Sequence, residues 1–79
     1  MNAKEMFEEL GYEVFYGNFV YDVLYKIEIN NNNWVNIEFS YGGYRINELK
    51  NGEFFIRRIS KELHNAIHQQ MKELGWLDE

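Results

Sequence analysis

The chain has 79 residues and no cysteine, so residues 1–79 are expected to form one small domain without disulfide bonds or a thiolate metal site. Six Phe, six Tyr and two Trp supply the apolar area that such a short chain needs for a core. The formal net charge of −5 argues against general binding to duplex nucleic acid, which depends on neutralising phosphates. No run approaches the roughly 20 apolar residues of a membrane span, and the charged start is unlike a signal peptide. We therefore expect a cytoplasmic protein with no membrane partner.

The first predicted helix begins at Asn2 and ends before Gly11. Asn2 followed three residues later by Glu5 is the pattern of a capping box. Gly11 favours a left-handed helix stop, in which Tyr12 folds back onto Phe7.

From residue 12 the apolar period changes to two, and four turn signals divide residues 12–59 into five antiparallel strands. Residues 12–16 form the shortest strand, and the pattern leaves open whether it joins the sheet. All four turns place apolar residues on the same face, and a slip of one residue would invert a strand. The turn signals, each with one pair that it sets opposite, are Gly17-Asn18 (Tyr16 with Phe19), residues 30–34 (Ile27 with Ile37), Gly42-Gly43 (Phe39 with Ile46) and Lys50-Asn51-Gly52 (Ile46 with Ile56).

The second predicted helix begins after Ser60, a good N-cap residue, and ends at Leu74. Gly75 repeats the left-handed stop, so that Trp76 folds back onto Met71. The predicted fold is therefore α+β: an N-terminal helix, an antiparallel meander of four to five strands and a C-terminal helix. Both helices are expected to cover one face of the sheet, giving two layers around one core.

Three segments carry a resemblance: MNAKEMFEELGY at residues 1–12, ISKELHNAI at residues 59–67 and ELGW at residues 73–76. They resemble small uncharacterised proteins of phages and prophages in low-GC Gram-positive bacteria. The resemblance covers the two helices. It implies a phage-type accessory protein and carries over no site residues.

The outer face of the predicted sheet is mostly polar, with one apolar interruption. Phe15 and Val20 are cross-strand neighbours there in the predicted register, and Leu24 lies further along. A contiguous apolar patch on a polar face indicates a partner surface, although single exposed apolar residues are normal. The partner would be a host or phage protein, or a second copy of the chain in a homodimer.

A second candidate surface is basic and covers residues 45–61. Guanidinium groups beside the free N–H groups of a helix start could hold a phosphate or carboxylate, whereas charged residues flanking a helix are also common on any surface. The alternative function is thus a weak nucleic-acid or anion binder, with nucleic acid the less expected partner. The candidate anion contacts are Arg45, Lys50, Arg57, Arg58 and Lys61.

Other candidate sites are weaker. His64 and His68 have the spacing of two metal ligands but lack a third, and Glu13 faces Asp22 without a pocket. We therefore expect no cofactor, no metal and no enzymatic activity. Base stacking is also not expected, because the predicted register turns all six tyrosines towards the core: Tyr12, Tyr16, Tyr21, Tyr25, Tyr41 and Tyr44.

Overall fold

The computed structural model describes residues 1–50 and 58–77, with the backbone alone at residues 49 and 50. The four strands form one antiparallel sheet in the order β1-β2-β3-β4, which confirms the α+β fold and places the short first strand in the sheet. The predicted fifth strand and its turn fall on residues 51–57, outside the described residues. The elements are α1 (Ala3–Glu9), β1 (Glu13–Tyr16), β2 (Val23–Asn30), β3 (Asn33–Ser40), β4 (Gly43–Lys50) and α2 (Lys61–Glu73).

The ends of α1 are those that the sequence predicts. The Asn2 side chain accepts a hydrogen bond from the Glu5 N–H at 2.8 Å, and the Glu5 carboxylate accepts one from the Asn2 N–H at 3.1 Å. At the other end Gly11 has φ +95°, and the Tyr12 N–H donates to the Phe7 carbonyl at 3.0 Å. The Phe7 and Tyr12 rings meet edge to face with centroids 5.5 Å apart. The capping box and the folded-back stop are both confirmed.

The ends of α2 are also confirmed. Ser60 Oγ accepts from the Leu63 N–H at 3.0 Å, which satisfies one of the free donors of the first turn. Gly75 has φ +77°, and the Trp76 N–H donates to the Met71 carbonyl at 3.0 Å. Trp76 is thereby held beside the sheet, with its ring centroid 6.4 Å from that of Phe39.

The core is centred on Tyr25 in β2. The Phe7 ring of α1 stacks on the Tyr25 ring with centroids 3.7 Å apart, and the Tyr25 hydroxyl donates to Gln70 Oε1 of α2 at 2.5 Å. Residues from both helices thus contact one side chain of the sheet. Gln70 is a buried polar residue that the apolar pattern of α2 does not predict. The largest fully buried side chains are Tyr25, Phe7, Phe39, Ile37 and Val35.

The predicted strand registers are wrong in all three described hairpins. Tyr16 pairs with Val23 instead of Phe19, so residues 17–22 form a loop and not a two-residue turn. In the next hairpin Ile27 pairs with Val35. Each difference is an even number of residues, so the paired residues keep the faces that the sequence predicts.

The third hairpin closes one residue earlier than predicted. Phe39 pairs with Tyr44, and Ser40 pairs with Gly43, which leaves Tyr41 and Gly42 as the turn residues. The predicted turn residue Gly43 is instead the first residue of β4.

The prediction that all six tyrosines face the core is wrong for Tyr41, whereas Tyr16 and Tyr44 keep the core face, opposite the buried Val23 and Phe39, without being covered. Tyr12 and Tyr25 are buried, whereas Tyr16, Tyr41 and Tyr44 are exposed. Tyr41 is a turn residue, and Tyr16 and Tyr44 belong to the two outer strands of the described sheet. Exposed aromatic side chains therefore collect at the end of the sheet that carries the 17–22 loop and the β3–β4 turn.

Candidate protein-binding surface

The loop of residues 17–22 is held by its own hydrogen bonds. The Asn18 N–H donates to the Tyr21 carbonyl at 3.0 Å, and Asn18 Oδ1 accepts from the Val20 N–H at 2.7 Å. The Asp22 N–H donates to the Phe39 carbonyl at 2.8 Å, which attaches the loop to β3. Asn favours such local side-chain to backbone bonds, and here they fix the loop without burying it.

Gly17 permits the tight start of this loop. A Cβ at this position would lie 2.7 Å from the Asp22 carbonyl oxygen and 2.9 Å from that of Tyr21. Because both contacts are with backbone, a larger residue would displace the chain. Glycine is therefore required here, because the chain leaving β1 passes close to the backbone that leads into β2.

The side chains presented by this loop are apolar and exposed. Phe19 has 102% of its reference area accessible, and Val20 has 58%. A fully exposed phenylalanine on a hydrogen-bonded loop makes no contribution to the core. Its position instead makes it available to another molecule.

The β3–β4 turn presents a second exposed aromatic side chain next to this loop. Tyr41 has φ +51° and Gly42 has φ +76°, the pattern of a two-residue type I′ turn. Positive φ is uncommon for a bulky residue, and Asn or Gly would be the favoured residue at this position. The Tyr41 side chain is nevertheless 91% exposed, so contacts with the core do not explain why tyrosine is there.

Phe19, Val20 and Tyr41 together form what we call the aromatic ridge. It separates two clefts, because all three residues line both of them. The first cleft has a volume of about 380 Å³ and is also lined by Glu38, Tyr44 and Arg45. The second has a volume of about 240 Å³ and extends to Asp22 and Trp76.

The charges of the first cleft are balanced. Arg45 Nε lies 3.0 Å from Glu38 Oε2, and Ser40 Oγ donates to the same oxygen at 3.2 Å. Glu38 is largely enclosed, with 12% of its side chain exposed, whereas 67% of the Arg45 side chain is exposed. The Arg45 charge is therefore already compensated within the chain.

The three predicted interface residues do not form one contiguous strand pair. Phe15 and Leu24 are directly opposite each other on β1 and β2, and Leu24 is in turn opposite Glu38 of the first cleft. Phe15 is 41% exposed. Val20 is not a strand neighbour of Phe15 as predicted, because Phe15 pairs with Leu24 instead. Val20 lies in the loop and belongs to the aromatic ridge.

The predicted anion contacts are only partly placed. Arg45 is paired with Glu38, while Arg58 and Lys61 are exposed on either side of the Ser60 cap. The Lys50 side chain and Arg57 lie outside the described residues. His64 and His68 are exposed on α2, and the described part of the chain contains no group of three His, Asp or Glu residues that could hold a metal ion.

The ridge residues Phe19 and Tyr41 are the ones that sequence reasoning missed. Two signals were present: Tyr41-Gly42 can form a type I′ turn, and Asn18 can bond to the backbone two residues later. Either signal predicts a longer or displaced turn with exposed aromatic residues.

Within the described residues, no helix is both long and apolar enough to cross a membrane.

Comparisons with family models, with curated proteins and with solved structures find no match to this chain.

Proposed function

We propose that this chain is a non-enzymatic accessory protein of the phage type, which acts in the bacterial cytoplasm by binding another protein through the aromatic ridge and its two clefts. The observation that carries the proposal is the complete exposure of Phe19 on a loop fixed by hydrogen bonds. The phage origin rests on the resemblance of the two helical segments. The binding surface rests on the geometry of the ridge.

Phe19 has the properties of an interface anchor. Covering a phenylalanine side chain is worth about 1.5–3 kcal/mol, and this gain is not used within the chain. Because Asn18 already holds the loop, little conformational entropy would be lost on binding. A fixed and exposed aromatic side chain is therefore well suited to dock into a partner.

The backbone conformation at Tyr41 supports the same conclusion. Residues in sparsely populated conformations cost about 1–3 kcal/mol and are found preferentially at functional sites. Because the Tyr41 ring is exposed, packing against the core does not explain why this residue adopts a positive φ. Tyrosine and arginine are enriched at binding hot spots, and Arg45 lies in the adjoining cleft.

Because three tyrosines are exposed, they could stack on bases, and a nucleic-acid partner has to be compared with a protein partner. Single-strand binders combine stacking aromatics with a positively charged groove. Here the net charge is −5, and the Arg45 charge in the first cleft is compensated by Glu38. These charges favour a protein partner.

A pull-down with matched variants tests the proposal. The tagged chain is mixed with lysate of a low-GC Gram-positive bacterium, and its mass in solution is measured by sedimentation equilibrium. We expect a protein, or a second copy of the chain, to be bound by the parent and to be retained about tenfold less by Phe19→Ser. The control is Ile29→Ser, because Ile29 is another exposed apolar residue, 51% accessible, but lies at the other end of the sheet.

The result that supports the proposal is a bound protein or dimer that is lost with Phe19→Ser and kept with Ile29→Ser. A partner that is unaffected by Phe19→Ser would contradict it. Recovery of an oligonucleotide in place of a protein would also contradict it.

A further inference from the structure

We propose that the second cleft binds a lysine or arginine side chain of a basic partner protein, an inference that rests on the proposed function and names the chemistry of the partner. The cleft is lined by four aromatic residues and one acidic residue: Phe19, Tyr21, Tyr41, Trp76 and Asp22. Aromatic faces attract cations, and a carboxylate adds a direct charge pair.

The aromatic residues of the cleft belong to three segments that backbone hydrogen bonds or turn geometry hold in place. Phe19 belongs to the hydrogen-bonded loop, Tyr41 to the β3–β4 turn, and Trp76 to the folded-back stop of α2. Asp22 is held at the end of the loop by its N–H bond to Phe39. The site is therefore organised before any ligand enters it.

The charge of Asp22 is available to a ligand. Among the described residues no basic side chain forms an ion pair with Asp22, whereas the carboxylate of the first cleft, Glu38, is paired with Arg45. The two clefts thus differ in charge although they share the ridge. A cation entering the second cleft would meet an uncompensated carboxylate.

The charge of the whole chain indicates the same class of partner. With a net charge of −5, the chain attracts a basic protein over distances of about 8–10 Å at physiological salt and repels both a second copy and nucleic acid. A basic partner is therefore favoured over the other two occupants of this surface.

Trp76 allows the cleft to be observed directly. In the variant Trp34→Phe, Trp76 is the single tryptophan of the chain, and its fluorescence reports on the second cleft. The probes are a short glycine–leucine–lysine peptide and an identical peptide in which every lysine is acetylated. The parent chain studied by two-dimensional NMR gives a second readout, with the Trp34 indole N–H as an internal reference.

We expect the lysine peptide to change the Trp76 signal and the acetylated peptide to bind about fivefold more weakly. Asp22→Asn should weaken the binding of the lysine peptide by a similar factor and leave the binding of the acetylated peptide unchanged. Added salt should weaken the lysine peptide alone, because only that complex depends on charge.

The inference is overturned if Asp22→Asn has no effect, if neither peptide changes the Trp76 signal, or if an oligonucleotide or a second copy of the chain occupies the cleft instead. If both peptides bind equally and Phe19→Ser abolishes their binding, the partner need not be basic, but the ridge remains a binding surface. The failure of this inference is thus distinguishable from the failure of the proposed function.

Discussion

Tyr41 is the residue at which stability and binding are expected to oppose each other. Its backbone has φ +51°, a conformation that Asn adopts more readily than a bulky residue does. We expect Tyr41→Asn to raise the free energy of unfolding by about 0.5–1 kcal/mol and to weaken partner binding severalfold.

Urea unfolding and the pull-down, carried out on the same preparation, check both halves of this prediction. Tyr16→Asn is the comparison, because Tyr16 is also exposed but lies in β1, has no positive φ and lines neither cleft. A Tyr41→Asn variant that is less stable than the parent would show that the tyrosine serves the fold.

Tyr25 is expected to make the fold sensitive to alkali. Burial raises the pKa of its hydroxyl above the ordinary value of 10.0, and the neutral hydroxyl donates to Gln70. Because the pKa of Tyr25 is higher in the folded than in the unfolded chain, the neutral hydroxyl contributes fully to the free energy of unfolding below about pH 10. That contribution is lost as the pH rises above this value.

The Tyr25→Phe variant separates this effect from other alkaline titrations, which both proteins share. At neutral pH it should be about 1–3 kcal/mol less stable, because Gln70 loses its donor. Between about pH 10 and pH 11 its urea midpoint should fall less than that of the parent. Equal slopes would indicate that Tyr25 does not control the alkaline transition.

Among the elements, the 17–22 loop depends on one glycine. Gly17→Ala places a Cβ against two backbone carbonyl oxygens, so we expect a loss of about 1–3 kcal/mol and a displaced ridge. The control is Gly43→Ala, because a Cβ at Gly43 meets no atom within 4 Å. Thermal unfolding of the two variants checks the difference; equal melting temperatures would refute the role assigned to Gly17.

The helix ends and the sheet turns differ in how well the sequence predicts them. A helix stop such as Gly11 with Tyr12 is specified within a few residues, and both stops are confirmed. Moving a two-residue turn by one position shifts the cross-strand pairing by two residues and leaves the apolar face unchanged, so face agreement could not separate Gly42-Gly43 from the observed Tyr41-Gly42.

The same even-numbered ambiguity concealed the candidate site. Moving the first hairpin by four residues converts Phe19 from a strand residue into an exposed loop residue, with no change in the alternation of β1 or β2. The apolar pattern also could not reveal Gln70, whose burial depends on the hydroxyl of Tyr25 in a distant strand. The fold follows from local rules, whereas the surface depends on where each turn closes.

At the scale of the whole molecule, Phe7 is the side chain on which the packing of α1 against the sheet depends. Its ring contacts the rings of Tyr25 and Phe39 in two strands as well as that of Tyr12 after the stop of α1. Removing a buried phenylalanine costs about 3–5 kcal/mol, which approaches the whole stability of a domain this small. We therefore expect Phe7→Ala to unfold most of the chain at 37 °C.

Phe15→Ala is the matched control for this substitution, because Phe15 lies on the outer face and is 41% exposed. Its loss should cost at most about 1 kcal/mol, since much of its area is already in water. In the Trp34→Phe background, circular dichroism and Trp76 fluorescence should give one coincident transition for the control, as expected of a single cooperative unit. Two separate transitions, or a Phe7→Ala variant that melts like the control, would mean that α1 is not part of the cooperative unit, and the single-domain prediction would then be wrong.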